Sequence, residues 1–173
     1  MTRDLLRLAQ EAYEALAEAD PAADPSEPGI APGLAWQVHL QKGCRFLAAA
    51  RHCLMKGPRP GFYTGAMELA FCSMERTLQA HLMHREGYRG EDFRAHLVAF
   101  RESGTRGILE PDVARALEDL WVDFRNENYY REGIPGRSSA DRIVALASEL
   151  HLLVARSRPA YRGVCSCPKG ARV

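Results

Sequence analysis

Apolar residues recur along this chain with a helical period. Leu5, Leu8, Ala12 and Leu16 fall at i, i+3, i+7 and i+11, and Trp36, Leu40, Leu47 and Leu54 form a second stripe. Met67, Phe71, Met74, Leu78 and Leu82 make a third. Val113, Leu117, Leu120, Trp121 and Phe124 make a fourth, and Ile143, Val144, Ala147, Leu150 and Val154 a fifth. No segment alternates with a period of two. The pattern predicts helices over 3–19, 34–56, 62–86, 91–103, 111–131 and 138–157. Breaks separate them: four prolines and two glycines within 20–33, then Gly57-Pro58-Arg59-Pro60-Gly61. Pro111 suits a first helical turn, flanked by Glu110 and Asp112, and Ser138 with Asp141 resembles a capping box.

The expected fold class is all-α, an up-down antiparallel bundle of four to five core helices with an extra N-terminal helix. Three regions follow: an N-terminal helix and Pro-rich linker over 1–33, the bundle over 34–157, and a basic, cysteine-containing tail over 158–173.

Composition narrows the class. The chain has 173 residues, 46% of them hydrophobic, enough for one core and too apolar for a disordered chain. A formal net charge of +1 excludes a strongly basic nucleic-acid coat. That sum hides opposites. Residues 1–28 carry seven acids and two basic residues, whereas 156–173 carry five basic residues and no acid. No apolar run approaches the roughly 20 residues of a membrane span. The N-terminus reads as an acidic amphipathic segment, not as a signal peptide. Five cysteines are an odd number, three of them inside helical patterns, so a reducing, cytoplasmic location is expected.

Most candidate chemistry lies late in the 111–131 helix. Asn128 and Arg131 continue the face of Leu117, Leu120 and Phe124, so an apolar stripe turns polar without leaving its face. Unpaired buried polar groups cost about 1–3 kcal/mol each, so this end is expected to open into a cleft, an interface or solvent. Arg125, Asn126, Tyr129, Tyr130 and Arg131 are the candidate ligand- or phosphate-binding residues there. His96 is a secondary candidate. His151 falls in an apolar stripe and reads as a core histidine. His81 and His84 lack the HExxH arrangement of a zinc helix. Cys44, Cys53 and Cys72 read as small buried hydrophobes, and Cys165-Ser166-Cys167 as tail thiols. No metal site and no cofactor is expected. Walker A, GxGxxG and GxSxG motifs are absent.

Three pieces together resemble the HEPN superfamily of helical bundles. They are Phe62-Tyr63-Thr64-Gly65-Ala66-Met67-Glu68-Leu69-Ala70-Phe71 running on through Glu75 and Leu78 to Gly87, then Asp92 to Phe100, then Arg125-Asn126 followed by a helix from Ser138. The resemblance covers residues 34–156. Many HEPN domains are metal-independent endoribonucleases that pair their motifs across a dimer. Their motif is an arginine, often followed by asparagine, with a histidine after four to six intervening residues. Arg125 and Asn126 match. Tyr130 stands where four intervening residues would put the histidine, followed by Arg131 and Glu132. A tyrosine, with its ordinary pKa near 10, replaces a histidine acid–base poorly at neutral pH. Some HEPN subfamilies carry tyrosine near this position and look like partners of small nucleotidyltransferases or like non-catalytic binding modules, and this sequence is more similar to those.

The resemblance therefore implies a non-catalytic, homodimeric subunit of a prokaryotic toxin–antitoxin or defence-type system. It would bind a nucleotide, RNA or protein, with a nucleotidyltransferase-type partner in view. The alternatives are a diverged metal-independent HEPN endoribonuclease and a helical dimerisation module without a ligand site.

Overall fold

A computed structural model describes residues 7–14, 30, 33–55, 62–125 and 136–165. The chain divides into two compact units, Met1–Pro32 and Gly33–Val173. In the first, residues 7–14 form helix α1, where the exposed Arg7 and Glu11 pair at 2.6 Å across one turn.

The second unit is built from helices, with no strand among the described residues. In order they are α2 (Ala35–Leu54), α3 (Tyr63–Glu86), a 3-10 turn (Gly90–Phe93), α4 (Val98–Thr105), α5 (Pro111–Asp119), α6 (Arg137–Ser157) and a second 3-10 turn (Pro159–Tyr161). The all-α class expected from periodicity holds. Local signals fix several ends. The Leu34 N–H donates to Gln37 Oε1 at 3.0 Å, opening α2. α3 stops at Gly87, whose φ of 71° lies in the left-handed region that glycine enters without a Cβ clash. Pro111 occupies the first turn of α5 with Asp112 beside it, as the sequence suggests.

α3 lies at the centre, touching α2, α4 and α6. Trp36 meets His84, His39 meets Gln79, and Gly43 meets Ser73, so α2 and α3 run in opposite directions. Arg51 of α2 donates to Ser148 of α6 at 2.9 Å, and His151 of α6 bonds Thr77 of α3 at 2.8 Å. Leu40, Phe71, Met74, Leu78 and Phe100 are fully or almost fully buried between these helices. Gly43 permits the close approach of α2 to α3. A Cβ there would sit 2.7 Å from Thr77 Oγ1 and 3.3 Å from the Ser73 carbonyl.

Four local expectations change. The segment 91–103 is broken into a 3-10 turn and α4, which places His96 in the connection between them. α6 begins at Arg137 with Gly136 as its N-cap, so Ser138 lies inside the helix and Asp141 pairs with Arg137 at 3.6 Å instead of closing a capping box. Residues 158–165, assigned above to a tail, join the bundle: Tyr161 is 1% exposed and packs on Trp36 and His84. The stripe of the 111–131 helix fails at both ends, with Val113 and Phe124 exposed.

The Gly43 contact yields a stability test. Gly43→Ala overpacks the α2–α3 seam and should destabilise by about 1–3 kcal/mol in urea titration. Gly65→Ala, whose added Cβ meets nothing nearer than 3.9 Å, should be neutral or stabilise by up to about 1 kcal/mol.

Candidate functional site

Glu68, Cys72, Glu75 and Gln79 follow one another at i, i+4, i+7 and i+11 along α3 and so share a face. Glu75 is 6% exposed and Gln79 is 1% exposed. Carboxylates and amides so placed must be paired, and each is. The Glu75 carboxylate accepts from His96 Nδ1 at 3.0 and 3.1 Å and from Gln79 Nε2 at 3.0 Å. Gln79 Oε1 in turn accepts from His39 Nδ1 and from Arg76 Nη1, both at 3.0 Å. A continuous polar chain therefore runs from His96 across α3 to α2.

Arg125 joins the same face through a departure from regular helix. After α5 the backbone continues as a π-helical segment over Leu120–Arg125. Closure at i→i+5 in place of i→i+4 puts Arg125, not Phe124, over the position of Leu120, and such segments are frequent at functional sites. This is why Phe124 faces outward while Arg125 turns inward. Its Nε donates to Glu68 Oε2 at 3.0 Å, and its side chain is 18% exposed.

Trp121, on the same segment, links the two halves. The Arg125 guanidinium carbon lies 4.7 Å from its ring centroid, a cation–π contact. The His96 ring stacks on it at 5.4 Å and 24°. Trp121 Nε1 is buried and has no hydrogen-bond partner among the described residues. A buried donor left unpaired is unusual and calls for an acceptor.

Electrostatics separate the groups on this face. Burial lowers the His39 pKa to about 4, with Arg76 and Lys42 acting in the same direction against the Gln79 bond. His39 is therefore neutral at physiological pH and donates to Gln79. Burial also holds the Cys72 thiol above its ordinary value, although the Arg125 guanidinium pulls it down. Cys72 thus stays a thiol at neutral pH and is no nucleophile.

Of the residues singled out by sequence, Arg125 and His96 meet through Trp121. Asn126, Tyr129, Tyr130 and Arg131 lie outside the described residues. Glu68, Glu75 and Trp121 were not among the candidates. The signal for the two glutamates was the i, i+4, i+7, i+11 row of Glu68, Cys72, Glu75 and Gln79, whereas Trp121 stood in the sequence only as part of an apolar stripe.

A separate cavity of about 260 Å³ is lined by residues including His81, Arg85, Glu86, Arg106 and Arg158. Burial lowers the His81 pKa, and its Nδ1 is buried with no partner among the described residues. The arginines Arg85 and Arg106 face Glu86 at 3.4 and 4.0 Å, so much of the positive charge is answered locally.

The family described as Domain of unknown function (DUF8154) matches residues 1–167, and the chain belongs to it. No curated protein and no solved structure matches.

The neutral His39 sets a pH dependence. Its folded pKa lies below its unfolded value near 6.5, so the unfolded chain binds its proton first. The stability it contributes is present above pH 6.5 and is lost as pH falls from there towards about 4. His81 acts with the same sign. Denaturant titrations should show stability falling between pH 7 and 4.5, with a shallower fall in His39→Gln.

Proposed function

We propose that this protein is a HEPN-like, non-catalytic binding subunit whose ligand is a nucleotide or single-stranded RNA, held at Arg125, Trp121 and His96. The observation that carries the reading is the buried, unpaired Trp121 Nε1–H beside a guanidinium that gives only its Nε to Glu68 among the described residues. The remaining Arg125 N–H groups are a fork suited to a phosphate, and the indole N–H adds a donor for an acceptor-rich ligand. The π-helical segment supports the reading by holding Trp121 and Arg125 together against α3.

The homodimer and the nucleotidyltransferase-type partner belong to the same reading. Val122 and Phe124 are exposed on the segment that carries Arg125, and a second copy would cover them. The setting in a prokaryotic toxin–antitoxin or defence-type system follows from the HEPN resemblance alone.

A second reading, a diverged metal-independent endoribonuclease, is favoured by one feature. His96 is oriented by the buried Glu75 carboxylate, as a general acid–base histidine is in other enzymes, and it shares Trp121 with Arg125.

One experiment separates the two. Fluorescence anisotropy with labelled single-stranded RNA and with a labelled nucleotide measures binding, and gel analysis in EDTA measures cleavage. The binding reading expects affinity that falls as salt rises, a loss of about 10–100-fold in Arg125→Ala, and intact RNA. Cleavage in EDTA that disappears in both Arg125→Ala and His96→Ala would replace it with the enzymatic reading. Neither binding nor cleavage would leave the dimerisation module.

A further inference from the structure

The bundle brings together three residues that are far apart in sequence. Cys44 comes from the middle of α2, His151 from α6, and Cys165 from just beyond the second 3-10 turn. One ligand atom from each, the two Sγ atoms and a ring nitrogen, all lie within 4.8 Å of one another. The Cys165 Sγ is 3.6 Å from His151 Nε2. We propose that Cys44, His151 and Cys165 form a binding site for zinc or a similarly thiophilic divalent cation.

The distances suit that ion. Tetrahedral zinc holds sulfur at about 2.3 Å and imidazole nitrogen at about 2.0 Å, which places the two ligand atoms about 3.5 Å apart. The Cys165–His151 separation is already that edge of the tetrahedron. The histidine is also oriented for the role. It is fully buried, and its Nδ1 is held by Thr77 Oγ1 at 2.8 Å, which leaves Nε2 turned towards the sulfurs. Metal-bound histidines characteristically anchor the second ring nitrogen in this way.

The chemistry selects the ion class. Two thiols and an imidazole suit zinc or cobalt, and offer nothing to calcium or magnesium, which take oxygen ligands. Binding would release one proton from each thiol, and the two thiolates would neutralise the dication. A neutral cluster is what a mostly buried site requires. The sequence holds a further thiol, Cys167, of the right chemistry for a fourth ligand, but the proposal stands on the other three. Because its ligands come from α2, α6 and the segment after α6, the ion would tie the C-terminal segment to the bundle. It is independent of the Arg125 site.

The test uses the full chain, purified reduced. Elemental analysis should find about one zinc per chain, and removing it with a chelator should lower the melting temperature by about 10 °C, restored by zinc but not by magnesium. Cobalt added to the stripped protein should give a thiolate-to-cobalt charge-transfer band in the near ultraviolet. Cys165→Ala changes a half-buried residue near the end of the bundle. It should keep the helical circular dichroism spectrum while losing the band and at least tenfold in zinc affinity. Cys44→Ala should do the same. His151→Ala removes a buried side chain, so its result counts only beside these two. A chain that binds no zinc when reduced overturns the proposal. So does cobalt binding without the thiolate band, or undiminished zinc affinity in both cysteine variants.

Discussion

The structure depends on satisfying the polar groups of a helix that has no free side. α3 is packed by α2, α4 and α6, and Ser73, Glu75, Thr77 and Gln79 are buried on it among apolar residues. An unpaired polar group in such a place costs about as much as several good contacts supply. Each neighbouring element therefore brings an answering group. Gly43 of α2 offers its carbonyl to Ser73, His39 of α2 bonds Gln79, and His151 of α6 bonds Thr77. His96 reaches Glu75 from the connection before α4. These bonds set the axial register of the helices more narrowly than apolar packing does, because leucines and alanines tolerate a slip that a hydrogen bond does not.

The same constraint produces both candidate sites. On one face, Glu68 and Glu75 draw Arg125 and His96 inward and leave Trp121 between them. On another, Thr77 fixes the His151 ring so that its far nitrogen meets Cys165. Each site takes one member from a connecting segment, His96 in one and Cys165 in the other, and the rest from the helices. Each is an extension of the pairing that lets α3 be buried, so the positions of its side chains are tied to the stability of the bundle.

How legible this was in the sequence follows from what controls each feature. α2, α3 and α6 match their expected ranges closely, because burial of a long stripe dominates there and proline and glycine mark the ends. The 111–131 segment fails for a different reason. Periodicity assumes a constant number of residues per turn, and the π-helical segment breaks that assumption at Leu120, so Phe124 and Arg125 exchange roles. His96 was recognised as a candidate, but within a helix; the shift to a connection is what frees its ring to reach Glu75. Ser138 and Asp141 have the spacing of a capping box, but the chain turns earlier, at Gly136.

Cys44, His151 and Cys165 show the other limit. His151 is the core histidine its stripe suggests, whereas Cys44 is half-buried and not a buried hydrophobe, and Cys165, expected in the tail, lies on the bundle. Local spacing carries no information about a ligand set whose members come from α2, from α6 and from beyond it, and only the register of those helices brings the set together. That register is imposed by α3: Gly43 docks against Ser73 and Thr77, and Cys44 is its neighbour in sequence, while Thr77 also holds His151. One turn of α3 thus positions two of the three ligands. Tyr161, buried against Trp36 and His84, anchors the segment that delivers the third. Contacts that exist without an ion thus bring the three ligand atoms within 4.8 Å of one another, so that binding would need only a small further closure and little new ordering.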